Sequence, residues 1–148
     1  MKKPVLFNVA TLMIFGLLNL VQNPPFLSPG PDNDQQQAIT SILNDFIEGA
    51  NSKDLTRLRS AFAKEAAVMF VRDEALVPIE LEDFFKNVTA GDVIVERQVL
   101  VIDTFGNAAQ AKVESVFPDG VASDYLSLLK FDGRWKIVNK IFSFVKNE

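Results

Sequence analysis

Residues 121–144 read VASDYLSLLKFDGRWKIVNKIFSF, and this stretch decides the fold. It is rich in aromatic and branched apolar residues, and the pair Asp132-Gly133 divides it into two runs of similar length. An Asp-Gly pair between two such runs is a strong local signal for a β-hairpin. The stretch therefore predicts two long antiparallel strands, residues 121–131 and 134–144.

Two further alternating segments precede this hairpin, residues 93–103 and 108–117. The breaks Phe105-Gly106-Asn107 and Pro118-Asp119-Gly120 consist of turn-forming residues. Consecutive segments are therefore predicted to pair as antiparallel hairpins. Strands of this length form a strongly twisted sheet that can curl around a helix.

The region before the strands is predicted to be helical. The first and longest helix has Asp34 as its N-cap and Gln37 as its capping-box partner, and apolar residues follow at helical spacing. A short helix, a short strand and a third helix that begins at Pro78 are predicted next, over residues 55–62, 68–71 and 78–88. Helices followed by antiparallel strands predict an α+β fold, a cone-shaped curved antiparallel sheet wrapped around the long N-terminal helix.

The N-terminal segment has the pattern of an export signal. Lys2 and Lys3 precede the uncharged apolar run 5–21, which is typical of a signal peptide or of an uncleaved membrane anchor. A buried core helix would need a polar face, which this run lacks. We therefore expect a periplasmic or secreted protein, membrane-anchored if the segment is not cleaved. The predicted division is signal peptide or anchor, proline-rich linker and α+β domain, over residues 1–23, 24–34 and 35–148.

Composition excludes several kinds of chemistry. The chain has no cysteine and no histidine, which removes thiolate metal sites, cysteine nucleophiles and histidine-based triads. A formal net charge of -4 argues against a protein that follows nucleic-acid phosphates. We expect no metal, no cofactor and no nucleic-acid partner.

Strand alternation predicts which side chains face the inside of the cone. On the second long strand Lys112 and Glu114 lie opposite a set of small and apolar residues, so the inward set is Ala109, Ala111, Val113, Ser115 and Phe117. The same reading of the next two strands places inside Tyr125, Ser127, Leu129 and Phe131, and then Trp135, Ile137, Asn139 and Ile141.

The polar members of these inward sets define a candidate site. An apolar pocket with a few converging polar groups is the default ligand-binding hypothesis, and the alternative is that each group is satisfied locally without a pocket. The register of the first long strand is ambiguous, so Arg97 either anchors an anionic ligand inside or lies at the rim. Trp135 could stack on a flat ring or belong to the core. The candidate ligand-binding residues are Arg97, Ser115, Tyr125, Ser127, Trp135 and Asn139.

The outer face of the sheet is predicted to be unusually apolar. A solvated face rarely carries many large apolar groups, so two sheets packed face to face as a homodimer would cover them. The helices or a C-terminal tail are the alternative cover. The predicted outer set is Val116, Leu126, Leu128, Val138, Phe142 and Phe144.

Residues 124–142, DYLSLLKFDGRWKIVNKIF, resemble the end of the putative lumazine-binding family. This family belongs to the nuclear transport factor 2-like superfamily, which also holds ketosteroid isomerase and SnoaL-like polyketide cyclases. Residues 103–111, DTFGNAAQA, resemble the preceding hairpin, and residues 51–55, NSKDL, the first helical junction. The resemblance, over residues 35–144, implies a cone-shaped, usually dimeric α+β fold.

The resemblance implies little about chemistry. Enzymes of the superfamily use an Asp base with a Tyr or Asp oxyanion donor, or a His-Asp pair. The predicted register puts no carboxylate inside the sheet except Asp103, near a turn. Our first hypothesis is therefore an exported, non-catalytic domain that binds a small ring-shaped or anionic ligand. The alternatives are a lyase or isomerase with a buried carboxylate base and Tyr125 as oxyanion donor, and a purely structural dimer.

Overall fold

The computed structural model describes residues 32–91 and 95–148. The predicted signal peptide or anchor, most of the predicted linker and the start of the first predicted long strand lie outside these residues. The described residues form three helices and one six-stranded sheet: α1 (Asn33–Asn51), α2 (Leu55–Ala61), β1 (Phe62–Arg72), β2 (Ala75–Ile79), α3 (Leu81–Ala90), β3 (Glu96–Phe105), β4 (Ala108–Phe117), β5 (Gly120–Phe131) and β6 (Arg134–Lys146). None of the described helices is long and apolar enough to cross a lipid bilayer.

The strand order is β2-β1-β6-β5-β4-β3. The hairpins β3–β4, β4–β5 and β5–β6 are antiparallel, as predicted, and β1 runs parallel to β6. The α+β prediction is confirmed.

The β1–β2 hairpin was only partly predicted. Strand β1 is much longer than the predicted strand 68–71, and Pro78 lies in β2 rather than at the start of α3. Asp73 and Glu74 both have positive φ, 50° and 64°, which suits a tight two-residue turn. Pro78 is tolerated because β2 is an edge strand, where a missing N–H breaks no interior ladder.

Helix α1 lies against the inner face of the sheet. Its N-cap is Asp32 and not Asp34, because the Asp32 carboxylate accepts a hydrogen bond from the Asp34 N–H at 3.2 Å. The last two residues of the predicted linker are therefore helical. Gly49 allows α2 to pack closely, since a Cβ there would lie 2.6 Å from the Leu58 nitrogen. The buried face of α1 consists of Ile39, Leu43, Phe46, Ile47, Gly49 and Ala50.

The inward set predicted for β4 is correct, but the set predicted for β5 is wrong. The turn between these strands contains two residues, and it pairs Val113 with Asp124 and Ala111 with Leu126. Each odd-numbered residue of β4 is thus opposite an even-numbered residue of β5, and opposed residues share a face. Tyr125, Ser127, Leu129 and Phe131 lie on the outer face, and the inward residues are Ala122, Asp124, Leu126 and Leu128.

On β6 the predicted face is right at the start and wrong after a β-bulge. Trp135 and Ile137 are buried in the core, as predicted. Leu128 pairs with Ile137 but Ser127 pairs with Asn139, so Val138 is an extra residue. A bulge of this kind exchanges the two faces of a strand. Beyond it Asn139 and Ile141 lie outside, and the inward residues are Lys140 and Phe142.

The predicted outer apolar set must be corrected accordingly. Leu126 and Leu128 are fully buried, and Phe142 packs against the core. Phe144 pairs with Ala122 and so belongs to the inner face. Val116 remains exposed on the outer face, as predicted.

Candidate functional site

A cavity of about 860 Å³ opens between α3, the β1–β2 hairpin and the inner face of β5 and β6. The Phe70 and Phe142 rings, from paired residues of β1 and β6, stack with centroids 5.0 Å apart. The Arg72 guanidinium lies over the Phe70 ring at 4.9 Å. The other apolar groups of the lining include Ile79, Phe84, Val88 and Phe144.

Lys140 and Asp124 form a buried ion pair that lines this cavity. Only 3% of Lys140 and 5% of Asp124 is exposed. The two residues come from neighbouring strands in diagonal positions, because Lys140 pairs with Leu126 and Asp124 pairs with Phe142. Their inward placement follows from the two-residue turn before β5 and from the bulge in β6.

Three aromatic rings surround the Lys140 ammonium. Its Nζ lies 5.6 Å from the ring centroid of Phe46, 5.5 Å from that of Phe84 and 4.8 Å from that of Phe142. Helix α1, helix α3 and strand β6 each contribute one ring. A cation with little water is stabilised by ring faces and by a paired carboxylate. We call these three rings and the Asp124 carboxylate the cage, and their contacts favour the charged form of Lys140.

Burial still disfavours that charge. Desolvation lowers the pKa of the Lys140 amine below its ordinary value, against the opposing effect of Asp124. Burial also lowers the pKa of Arg97, whose guanidinium interacts with Asp124 too. Arg97 donates a hydrogen bond to Asn51 Oδ1 at the end of α1. The interior near Asp124 thus holds two cationic side chains and one carboxylate.

The structure separates the six candidate residues predicted from the sequence. Arg97 and Ser115 are paired neighbours on the inner face, and Ser115 is buried. Trp135 is buried in the core cluster. These three residues are not among those that line the described cavity.

The other three candidates lie on the outer face, so their predicted inward orientation is wrong. Tyr125 borders the cavity, but alternation directs its half-exposed side chain away from it, and the Lys112 Nζ lies 5.6 Å from its ring. Ser127 accepts a hydrogen bond from Gln110 Nε2 at 2.9 Å. Asn139 is opposite Ser127.

Sequence reasoning missed the residues that make the site, Asp124, Lys140 and Phe142. It also placed no carboxylate of β5 inside the cone, whereas Asp124 is inside. The sequence marks a break at Pro118-Asp119-Gly120, but only the structure shows that the turn has two residues, which makes the inward residues of β4 and β5 differ in parity. The enzyme alternative needs a buried carboxylate next to Tyr125, but Asp124 and Tyr125 are consecutive on β5 and point to opposite faces.

Comparisons with known proteins agree with this architecture. The profile of the family described as putative lumazine-binding matches residues 34–143. Curated protein sequences give no significant match.

Solved structures with this fold include two bacterial nuclear transport factor 2-like proteins of unknown function. The protein from Shewanella baltica OS155 has a TM-score of 0.70 at 25% identity, covering 79% of this chain and 99% of its own. The protein from Methylobacillus flagellatus KT has a TM-score of 0.69 at 29% identity, covering 80% and 98%.

A more distant structure shares the fold alone. It is a putative ketosteroid isomerase from Shewanella frigidimarina NCIMB 400, with a TM-score of 0.57 at 16% identity, covering 72% of this chain and 94% of its own. Because the profile spans most of the sequence and the fold agrees, this chain belongs to the putative lumazine-binding family, with a nuclear transport factor 2-like fold.

Proposed function

We propose that this chain is an exported, non-catalytic domain that binds a small ring-shaped or anionic ligand inside the cone. The observation that carries the proposal is the cavity itself, with aromatic walls and the buried Asp124–Lys140 pair in its lining. Its volume of about 860 Å³ lies within the usual range of small-molecule sites. Membership of the family supports a small-molecule ligand. The charge pattern of residues 1–23 supports export.

The lining indicates how such a ligand would lie. Phe70 and Phe142 offer ring faces, and flat rings stack or pack edge to face on aromatic side chains. The ammonium of Lys140 and the carboxylate of Asp124 present a donor beside an acceptor, which suits the polar edge of a ring. Arg72 adds a second cation among the lining residues. An anionic ring would therefore satisfy both the walls and the charges.

Ligand binding is tested by thermal unfolding and calorimetry with benzoate, indole-3-acetate and lumazine. At a ligand concentration about 100 times Kd, binding is expected to stabilise the native chain by about 2.7 kcal/mol. Val88→Trp should fill the cavity from α3 and abolish this stabilisation, because Val88 lines the cavity. Val116→Trp, on the exposed outer face, should retain it. Equal stabilisation of both variants, or none of the wild type, would contradict the proposal.

One observation favours the alternative, a lyase or isomerase. Asp124 is a buried carboxylate in the cavity lining, where a base could reach a proton next to a carbonyl. Its ion pair with Lys140 opposes this role, because a base must release its partner to accept a proton. Incubation in D₂O with para-acetylbenzoate, an anionic aromatic ketone that has a methyl group next to its carbonyl, separates the two functions. Deuterium incorporation that Asp124→Asn abolishes would establish proton transfer.

We also propose a homodimer through the outer face of the sheet, with corrected contact residues. The register aligns Val101, Lys112, Tyr125 and Ile141 in one row across four strands. Val101 and Ile141 are 54% and 47% exposed, and Tyr125 is similar. A second copy packed on this row would remove its apolar surface from water.

Light scattering of the purified chain tests the dimer. The wild type is expected at twice the chain mass, and Ile141→Glu at the chain mass, because a carboxylate would be buried against the partner's apolar surface. Gln37→Glu, on the exposed side of α1, adds the same charge away from the sheet and should leave the dimer intact. A monomeric wild type, or a dimeric Ile141→Glu variant, would contradict this interface.

A further inference from the structure

We propose that Lys140 captures a ring-shaped aldehyde or ketone as a covalent imine in this cavity. The inference rests on the proposed function, because the carbonyl compound must enter the same site. It goes beyond that function by naming a carbonyl group as the ligand's reactive part and Lys140 Nζ as the atom that bonds to it.

The geometry supplies a nucleophile, a proton acceptor and a ligand surface together. Lys140 and Asp124 both line the cavity, and they are in direct contact with each other. A lysine in apolar surroundings is a recognised form of activated amine nucleophile. The same burial favours the neutral amine, which is the reactive form. The rings of Phe84 and Phe142 line the cavity beside the amine.

Each step of the reaction balances. The ammonium transfers one proton to the Asp124 carboxylate, and the free amine attacks the carbonyl carbon. The attacking nitrogen then loses one proton, which moves to the carbonyl oxygen, and a neutral carbinolamine results. Asp124 then returns its proton to the departing hydroxyl, the C–O bond breaks, and water leaves. One ammonium and one carbonyl group thus give one protonated imine and one water, with no oxidant or reductant.

The cage suits the product as well as the free lysine. A protonated imine carries the same charge as the ammonium it replaces and remains next to the Asp124 carboxylate. Phe46, Phe84 and Phe142 can stabilise it by the same cation–π attraction. The reaction therefore leaves no buried charge without a partner, and the ring of the ligand lies towards the stacked pair Phe70 and Phe142.

The test is reductive trapping with para-carboxybenzaldehyde, an anionic aromatic aldehyde, and sodium cyanoborohydride near neutral pH. Limiting aldehyde is added to the full chain, and peptide mass spectrometry measures the labelling rate of each lysine. Lys140 is expected to react about tenfold faster than exposed Lys64, because desolvation increases the fraction of free amine. Lys140→Arg, which keeps the positive charge, should lose this fast labelling and retain the slow labelling of Lys64.

The outcomes separate this inference from the proposed function. Fast labelling of Lys140 that benzoate suppresses supports both. Thermal stabilisation by benzoate, with Lys140 labelled no faster than Lys64, overturns the imine and leaves ligand binding in place. Neither stabilisation nor fast labelling overturns both. The wild-type labelling map decides the imine even if Lys140→Arg fails to fold.

Discussion

Replacing Asp124 with asparagine is expected to lower the free energy of unfolding by about 3 to 5 kcal/mol, because removing one partner of a buried ion pair leaves the other charge uncompensated. The Lys140 ammonium is 3% exposed, so water cannot take over the role of the lost carboxylate. The three surrounding rings compensate only part of the charge, since each cation–π contact contributes about 0.5 to 2 kcal/mol.

Urea unfolding of wild type and variants measures this effect. Asp103→Asn makes the same chemical change on the exposed outer face of β3 and is expected to alter stability by less than about 0.5 kcal/mol. Adding Lys140→Met to Asp124→Asn should recover much of the loss, because the unpaired charge is then gone. If Asp124→Asn lowers the free energy of unfolding no more than Asp103→Asn does, Asp124 does not stabilise the buried Lys140 charge.

Leu126→Ala is expected to destabilise the chain by about 2 to 5 kcal/mol, the usual cost of a cavity in a packed core. Leu126 is 0% exposed and belongs to the core cluster between the sheet and α1. Leu129→Ala, on the opposite face of β5, removes the same atoms from a side chain that is 44% exposed. Its cost is expected to stay below about 1 kcal/mol in the monomer.

This pair of variants tests the register of β5 directly. Both are measured by the same unfolding experiment at low protein concentration, where association contributes least. The reverse order, with Leu129→Ala much the more costly, would return Leu129 and Tyr125 to the inside of the cone. It would also move Asp124 to the surface and remove the site described above.

Much of the fold could be predicted because its signals are local. Asp132-Gly133 and the two three-residue breaks marked three hairpins, and all three are present. The apolar spacing in α1 correctly gave its buried face, since Ile39, Leu43 and Phe46 are buried. The β1–β2 hairpin was missed because Pro78 has two possible meanings: it can begin a helix or occupy an edge strand. Only the position of β2 in the sheet distinguishes them.

The site was harder to predict because it depends on which alternate residues of each strand face the inside of the cone. Ala, Val and Ser alternate clearly with Gln, Lys and Glu on β4, and that face was correct. On β5 both faces carry leucines, so alternation could not choose between them, and the length of the turn before β5 became known only from the structure. On β6 the bulge at Val138 has no glycine or proline to mark it. The extra residue turns Asn139 to the outer face of the sheet and Lys140 to the inner face.

The sequence by itself determined the three helices, the three hairpins from β3 to β6 and the family, because these depend on side chains a few residues apart. Tertiary structure alone decided that Lys140 enters the cone and meets Asp124, Phe46 and Phe84. These residues are distant in the chain, and their meeting requires the bulge in β6, the pairing of β5 with β6 and the packing of two helices on the same sheet face. A local sequence pattern cannot predict this contact, because either face of β5 or β6 could point inward until the strands and helices pack together.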